Sequence, residues 1–172
     1  MEKIKSHILG EIVSSNSSDA FSLYEKSDFG EKKEGKIIYS PSEALFLVEK
    51  NKMEIISKNK KISPEELIKK FKKIDKKIQL KYPVFKDLRE KGYVVKTALK
   101  FGAEFRVYEK GTKVGEKHSK WIVFIDYESK TFTWQEFSSK NRVAHSTKKN
   151  LLLAIVDEER DITYYEVKWI KP

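Results

Sequence analysis

The chain has 172 residues, room for one or two small domains, and its 39% hydrophobic content supplies a core of modest size. Its 36 Lys and Arg against 26 Asp and Glu leave a formal charge of +10, which favours an anionic partner, either nucleic acid or an acidic membrane face. The lack of cysteine excludes disulfides, thiolate metal sites and thiol nucleophiles.

No apolar run approaches the roughly 20 residues of a membrane span, and MEKIKSHILGEIV lacks the cleavage pattern of a signal peptide. A cytoplasmic protein with no membrane partner is expected. From the N-terminus, residues 1–13 alternate as a strand does, with Ile4, Ile8 and Ile12 spaced for a change of face. SSNSSD is a polar turn, and AFSLYEK and GKIIYS read as two arms of a hairpin around a charged, solvated linker over 27–35. Ser40-Pro41-Ser42-Glu43 and Ser63-Pro64-Glu65-Glu66 each offer a Ser N-cap, Pro at the first helical position and Glu three residues after the cap. Helices are predicted to begin at Pro41 and Pro64, with a short strand, MEIIS, between them.

In the second helix Leu67, Phe71, Ile74 and Ile78 form one apolar stripe, so the helix is expected to reach about Gln79. Its lysine-rich opposite face reads as solvated surface. The domain join is placed there, giving an N-terminal accessory domain over 1–79 and a second domain over 80–172. Tyr82-Pro83 then opens a new helix, with Val84, Phe85 and Leu88 inward and Gly92 as its terminator. Alternation along FRVYEK and WIVFID marks two strands flanking an exposed loop over 109–117. In the first, Phe105 and Val107 face one way and Arg106 and Tyr108 the other. Thr131 and Phe132 read as closing a hairpin, and Trp134 to about Thr147 as a helix with Arg142 and His145 on one face. LLLAIVD has the wholly apolar character of a buried central strand, and ITYYEVKWI is the last strand, after the acidic loop 157–161. The fold class expected is α/β of the mixed α+β kind: a small N-terminal α/β domain, then a C-terminal domain whose mixed sheet is flanked by helices.

Tyr108, His118 and Lys149 are the side chains placed for chemistry. Spacing alone is a weak signal, because a Tyr and a His ten positions apart are also ordinary packing and capping residues. His7 and His145 lack ligand spacing and read as structural, so neither metal nor cofactor is expected. Glu166-Val167-Lys168, with Asp157 upstream, fits the acid-x-Lys element of metal-dependent nucleases, a tripeptide that arises readily by chance in a chain this charged.

Four separated blocks, KGYVVKTALKFGAEFRVYEKG, EKHSKW, NRVAHSTKKNLLLAIVDEERD and ITYYEVKW, resemble in order the catalytic domain of the archaeal tRNA-splicing endonucleases. The N-terminal half resembles their small accessory domain more loosely. The resemblance implies that Tyr108 is the base, His118 the acid and Lys149, rather than the adjacent Lys148, the charge stabiliser. It implies precursor tRNA as the partner, cut at bulge-helix-bulge sites. It further implies that Arg142 holds a bulged nucleotide, with Trp169 or Lys168 as the second stacking group where this sequence has no arginine. Asp157, Glu158 and Asp161 would form the assembly loop of a homotetramer, a dimer of dimers.

The chemistry of the three residue types agrees with that implication. RNA carries its own nucleophile, the 2′-hydroxyl, and needs only a base, an acid and a cation. A histidine, ordinarily titrating near 6.5, serves as general acid; a tyrosine, ordinarily near 10, becomes a base where cations favour the phenolate; an ammonium offsets charge on the phosphorane. The products would be a 2′,3′-cyclic phosphate and a 5′-hydroxyl. The alternative is a non-catalytic RNA-binding or structural subunit that needs a catalytic partner chain.

Overall fold

Serine caps and isolated glycines cut the first half of the chain into brief elements. The computed structural model describes residues 2–172 and has two units, one ending at Tyr82 and one running Pro83–Pro172. The first contains β1 (Ile4–Leu9), β2 (Ile12–Ser15), α1 (Ser18–Ser27), β3 (Glu31–Lys33), β4 (Lys36–Tyr39), α2 (Pro41–Glu49), β5 (Met53–Ser57), β6 (Lys60–Lys61) and α3 (Pro64–Ile74). Its sheet has the order β3-β4-β2-β1-β5-β6, with β1 and β5 parallel and every other pair antiparallel.

Both capping boxes form, so α2 and α3 begin at Pro41 and Pro64 as expected. Three expectations for this half need correction. AFSLYEK is helix α1, not a hairpin arm: Ser17 accepts from Ala20 N at 3.3 Å as N-cap, and Ala20 and Leu23 are buried. The polar run SSNSSD is therefore a helix start as well as a turn. The charged loop is not a linker, because β3 pairs with β4 inside it through a turn in which Glu34 and Gly35 both take positive φ.

Gly30 is needed at the head of this hairpin, since a Cβ there would stand 2.3 Å from Ile37 Cγ2 and 2.9 Å from Ile38 O. Its N–H donates to the buried Glu43 carboxylate at 2.9 Å, and the same carboxylate accepts from Ser40 N and Oγ. One side chain thus closes the α2 capping box and ties the hairpin to it. The third correction concerns α3, which stops at Ile74. Asp75 takes an extended backbone and its carboxylate accepts from Lys77 N at 2.9 Å, so Ile78 opens α4 (Ile78–Glu90) and Pro83 lies within that helix.

The second unit takes the remainder of α4 and adds β7 (Val94–Ala98), a 3-10 turn (Leu99–Phe101), β8 (Ala103–Tyr108), β9 (Trp121–Tyr127), α5 (Trp134–Ser146), β10 (Asn150–Val156) and β11 (Ile162–Val167). Sheet order is β11-β10-β9-β8-β7. The hairpin expected at Thr131 and Phe132 is absent: β9 and β10 run parallel, so α5 is a crossover helix, capped by Thr133 with Glu136 closing the box. LLLAIV lies in β10, an interior strand between β9 and β11, and is largely buried as its apolar run predicts.

Ile122, Phe124, Leu151 and Leu153 pack one sheet face against Ala144 of α5. On the other face Phe105 meets Phe85 of α4 at 5.8 Å, and the Tyr164 hydroxyl donates to Asp87 at 2.8 Å. The last strand ends at Val167, leaving Lys168 and Trp169 beyond it. The fold is therefore mixed α/β in two domains. No helix among the described residues is long and apolar enough to cross a membrane.

Candidate active site

Strand alternation sends Val107 and Tyr108 to opposite faces of β8, and Arg106 follows Tyr108. Val107 lines a largely apolar cavity with Leu88, Trp121 and Tyr164 on the α4 face. Tyr108 and Arg106 line a different cavity of about 400 Å³. Tyr108 is buried, and the chain leaves the sheet directly after it.

The excursion that follows is an ordered loop. Thr112 N donates to Glu109 O and Glu116 N to Lys113 O, while Val114 bridges Lys117. Lys120 Nζ meets Glu109 Oε1 at 2.5 Å and Lys120 N donates to Val107 O, so the two ends of the loop are held together. His118, exposed beside the buried Ser119, is thereby returned to the cavity that holds Tyr108.

Lysine 149 arrives by the way α5 ends. Lys148 adopts the left-handed conformation (φ 56°) and Lys149 N donates back to Ala144 O at 2.9 Å, a reversal that directs the chain into β10. Lys148 is exposed, whereas Lys149 is half-buried and lines the cavity with its Nζ donating to Thr147 O at 2.8 Å. Burial, and then the nearby Arg106 guanidinium, hold the Lys149 pKa below the usual lysine value. A strand end, a loop and a post-helix turn thus bring Tyr108, His118 and Lys149 to one cavity, with three basic side chains, Arg106, Lys117 and Lys149, against one lining carboxylate, Glu116.

A phenol, an imidazole and an ammonium around a cationic hollow can accept a proton, donate one and neutralise an anion. Two family descriptions match the chain: residues 78–164 match "tRNA intron endonuclease, catalytic C-terminal domain" and residues 4–68 match "tRNA intron endonuclease, N-terminal domain". The chain belongs to the tRNA intron endonuclease family. It is 42% identical over 166 residues to the tRNA-splicing endonuclease of Thermococcus kodakarensis, covering 96% of this chain and 97% of that one. Against the tRNA-splicing endonuclease of Pyrococcus abyssi it is 38% identical over 169 residues, 98% and 97% of the two chains. With that of Methanothermobacter thermautotrophicus the identity is 43% over 150 residues, 87% of each.

The other sequence-derived candidates of this tRNA intron endonuclease lie outside the cavity. Arg142 is exposed on α5 and lines a neighbouring hollow with Phe124, Glu136 and Lys140; Phe101 lines both hollows. Trp169 is exposed, and its ring lies 4.4 Å from that of His145, one turn along α5 from Arg142. Lys168 Nζ is 4.0 Å from Glu166. Asp157 accepts from Asp161 N at 2.8 Å and so closes the β10–β11 turn, while Glu158 and Glu159 are exposed.

Glu166, the acid of the acid-x-Lys tripeptide, accepts from Trp121 Nε1 and Asn150 Nδ2. Among the described residues no three His, Cys, Asp or Glu side chains gather in the way a metal ion requires. Sequence reasoning gave no role to Phe101 and offered Arg106 only as a cation near Tyr108 in sequence that would favour its phenolate. The signal for Arg106 was present in its alternation with Tyr108, but nothing local showed which face would be hollow.

Proposed function

We propose that the chain is a tRNA-splicing endonuclease that excises introns from precursor tRNA, in the cytoplasm, without a metal ion. The observation that carries this reading is the convergence of Tyr108, His118 and Lys149 on one cavity, set beside the family membership. Tyr108, as the phenolate, accepts the proton of the 2′-hydroxyl while the hydroxyl oxygen attacks the adjacent phosphorus. His118 delivers a proton to the departing 5′-oxygen as the P–O5′ bond breaks. The Lys149 ammonium offsets the charge that builds on the phosphorane oxygens. The products are a 2′,3′-cyclic phosphate and a 5′-hydroxyl.

Substrate choice follows from what RNA offers a protein. The A-form major groove is too deep and narrow for side chains, so unpaired bases and backbone shape are read instead. A bulge-helix-bulge provides both. Arg142, exposed on α5, is the group that stacks on a bulged base, and Trp169 and Lys168 are the further contacts. Two cuts related by two-fold symmetry call for two cavities, which two subunits of a homotetramer would supply while the other two hold them in place, as a dimer of dimers docked through the loop of Asp157, Glu158 and Asp161.

The test is incubation of the purified chain with intron-containing precursor tRNA in EDTA. Cleavage is expected, and a 2′-deoxy substitution at the splice site is expected to abolish it. Cutting of the deoxy substrate would overturn the mechanism, cutting only with magnesium its independence of metal, and no cutting at all would leave an RNA-binding subunit.

A further inference from the structure

Of the basic groups lining the cavity, the reaction as written leaves Arg106 and Lys117 without work, and only Arg106 stands on a strand. It lies in the middle of β8, paired across to Lys96 of β7 and Ile122 of β9, so the sheet fixes its origin more firmly than a loop would. Its Nε is shielded from solvent yet has no hydrogen-bond acceptor among the described residues. A guanidinium stays charged at any working pH and carries donors in a rigid fork. A buried member of that fork is ordinarily paired with a carboxylate or a carbonyl.

The nearby acids do not fill that role. Glu104, two residues earlier on the same strand face, accepts from Ile125 N at 3.2 Å. Glu116, the carboxylate lining the cavity, is exposed on the loop and forms no ion pair with Arg106. Arg106 also acts on a like charge, that of Lys149. Two cations lining one hollow, one of them a guanidinium whose buried Nε has no acceptor among the described residues, form an arrangement suited to an incoming anion.

We infer that Arg106 contacts the non-bridging oxygens of the scissile phosphodiester, acting beside Lys149 as a fourth member of the catalytic group. The two cations differ in kind. Lys149 is a point charge at the cavity edge, whereas Arg106 grips by its planar edge and so orients the phosphate for in-line attack. The inference rests on the endonuclease reading above.

The experiment compares the parent with Arg106→Gln, Arg106→Lys and His118→Ala by single-turnover cleavage in EDTA, by binding of the uncleavable 2′-deoxy RNA and by thermal melting. Arg106→Gln is expected to slow cleavage by about 10²- to 10³-fold, the size of a lost oxyanion donor, with a far smaller loss of affinity for the deoxy RNA. Arg106→Lys, which keeps charge and loses the fork, should fall between. Sulfur in place of one non-bridging oxygen of the scissile phosphate should slow the parent and add little further slowing in Arg106→Gln, a coupling that a merely structural arginine would not produce. A folded Arg106→Gln protein that cleaves at the parental rate, or that pays the full additional sulfur penalty, overturns the inference. If Arg106→Gln does not fold, the sulfur comparison in Arg106→Lys decides in the same way. A parental rate in His118→Ala would instead bring down the endonuclease reading itself, so the two failures are distinguishable.

Discussion

Lys149 holds a charge that its surroundings oppose. Burial first and Arg106 second lower its pKa, so the ammonium is complete well below that value and is lost as pH rises through it, earlier than for an exposed lysine near 10.4. The cleavage rate should therefore decline on an alkaline limb that begins early. Lys149→Arg, which cannot deprotonate in this range, should remove that part of the limb; an unchanged limb in the arginine variant would place the titration elsewhere. His118→Ala should slow the cut by roughly 10²- to 10⁴-fold, the range of a general-acid contribution, with RNA affinity nearly intact. A large affinity loss at an unchanged single-turnover rate would contradict the assignment. At this scale, which of Lys148 and Lys149 faces the hollow follows from the backbone. Lys148 occupies the left-handed, helix-ending position and is exposed, and Lys149 is turned inward.

The elements that hold the chain together are capped and stitched by single side chains, and their loss is measurable. Glu43→Ala removes the capping-box partner of Ser40 and leaves the Gly30 N–H without its carboxylate. A cost of about 1–3 kcal/mol is expected from a lost cap and an orphaned buried donor, read from denaturant unfolding of the full chain; an unchanged midpoint would refute it. On the sheet of the second unit, burial and then Asp87 raise the Tyr164 pKa far above its usual value. The neutral phenol is favoured in the folded state, so this contribution to stability is full below the unfolded tyrosine value near 10 and is lost as pH climbs beyond it. Tyr164→Phe should shrink the stability loss measured above that pH without abolishing it, since burial also raises Tyr39. Helix starts at Pro41 and Pro64 were legible because a capping box is written within four residues. Helix α1 was not, because Ala20, Phe21, Leu23 and Tyr24 form a short cluster compatible with either period, and the Ser17 cap that decides between them looks like any polar turn. The crossover through α5 was missed for a related reason: whether two apolar strands run parallel depends on the side from which the second returns.

At the scale of the whole molecule, the acidic turn bears on assembly. The β10–β11 turn is closed by Asp157 and presents Glu158 and Glu159 outward from a chain of net charge +10, which suits docking on a basic surface of another copy. If the proposed homotetramer forms through this loop, changing Asp157, Glu158 and Asp161 together to Asn, Gln and Asn should shift it toward dimers in sedimentation. An unaltered tetramer would take the assembly role away from this loop. What the residues alone determined were features carried by near neighbours: two capping boxes, strand alternation around Tyr108, a buried apolar strand, the blocks that mark the family, and a charge suited to RNA. Only the tertiary structure decided that Tyr108, His118 and Lys149 line one hollow, and that the buried Arg106 Nε beside them has no acceptor among the described residues. Local signals arise from torsion and periodicity over a few positions, whereas a cavity and the absence of a buried partner are set by sheet register and by loops returning from distant parts of the chain.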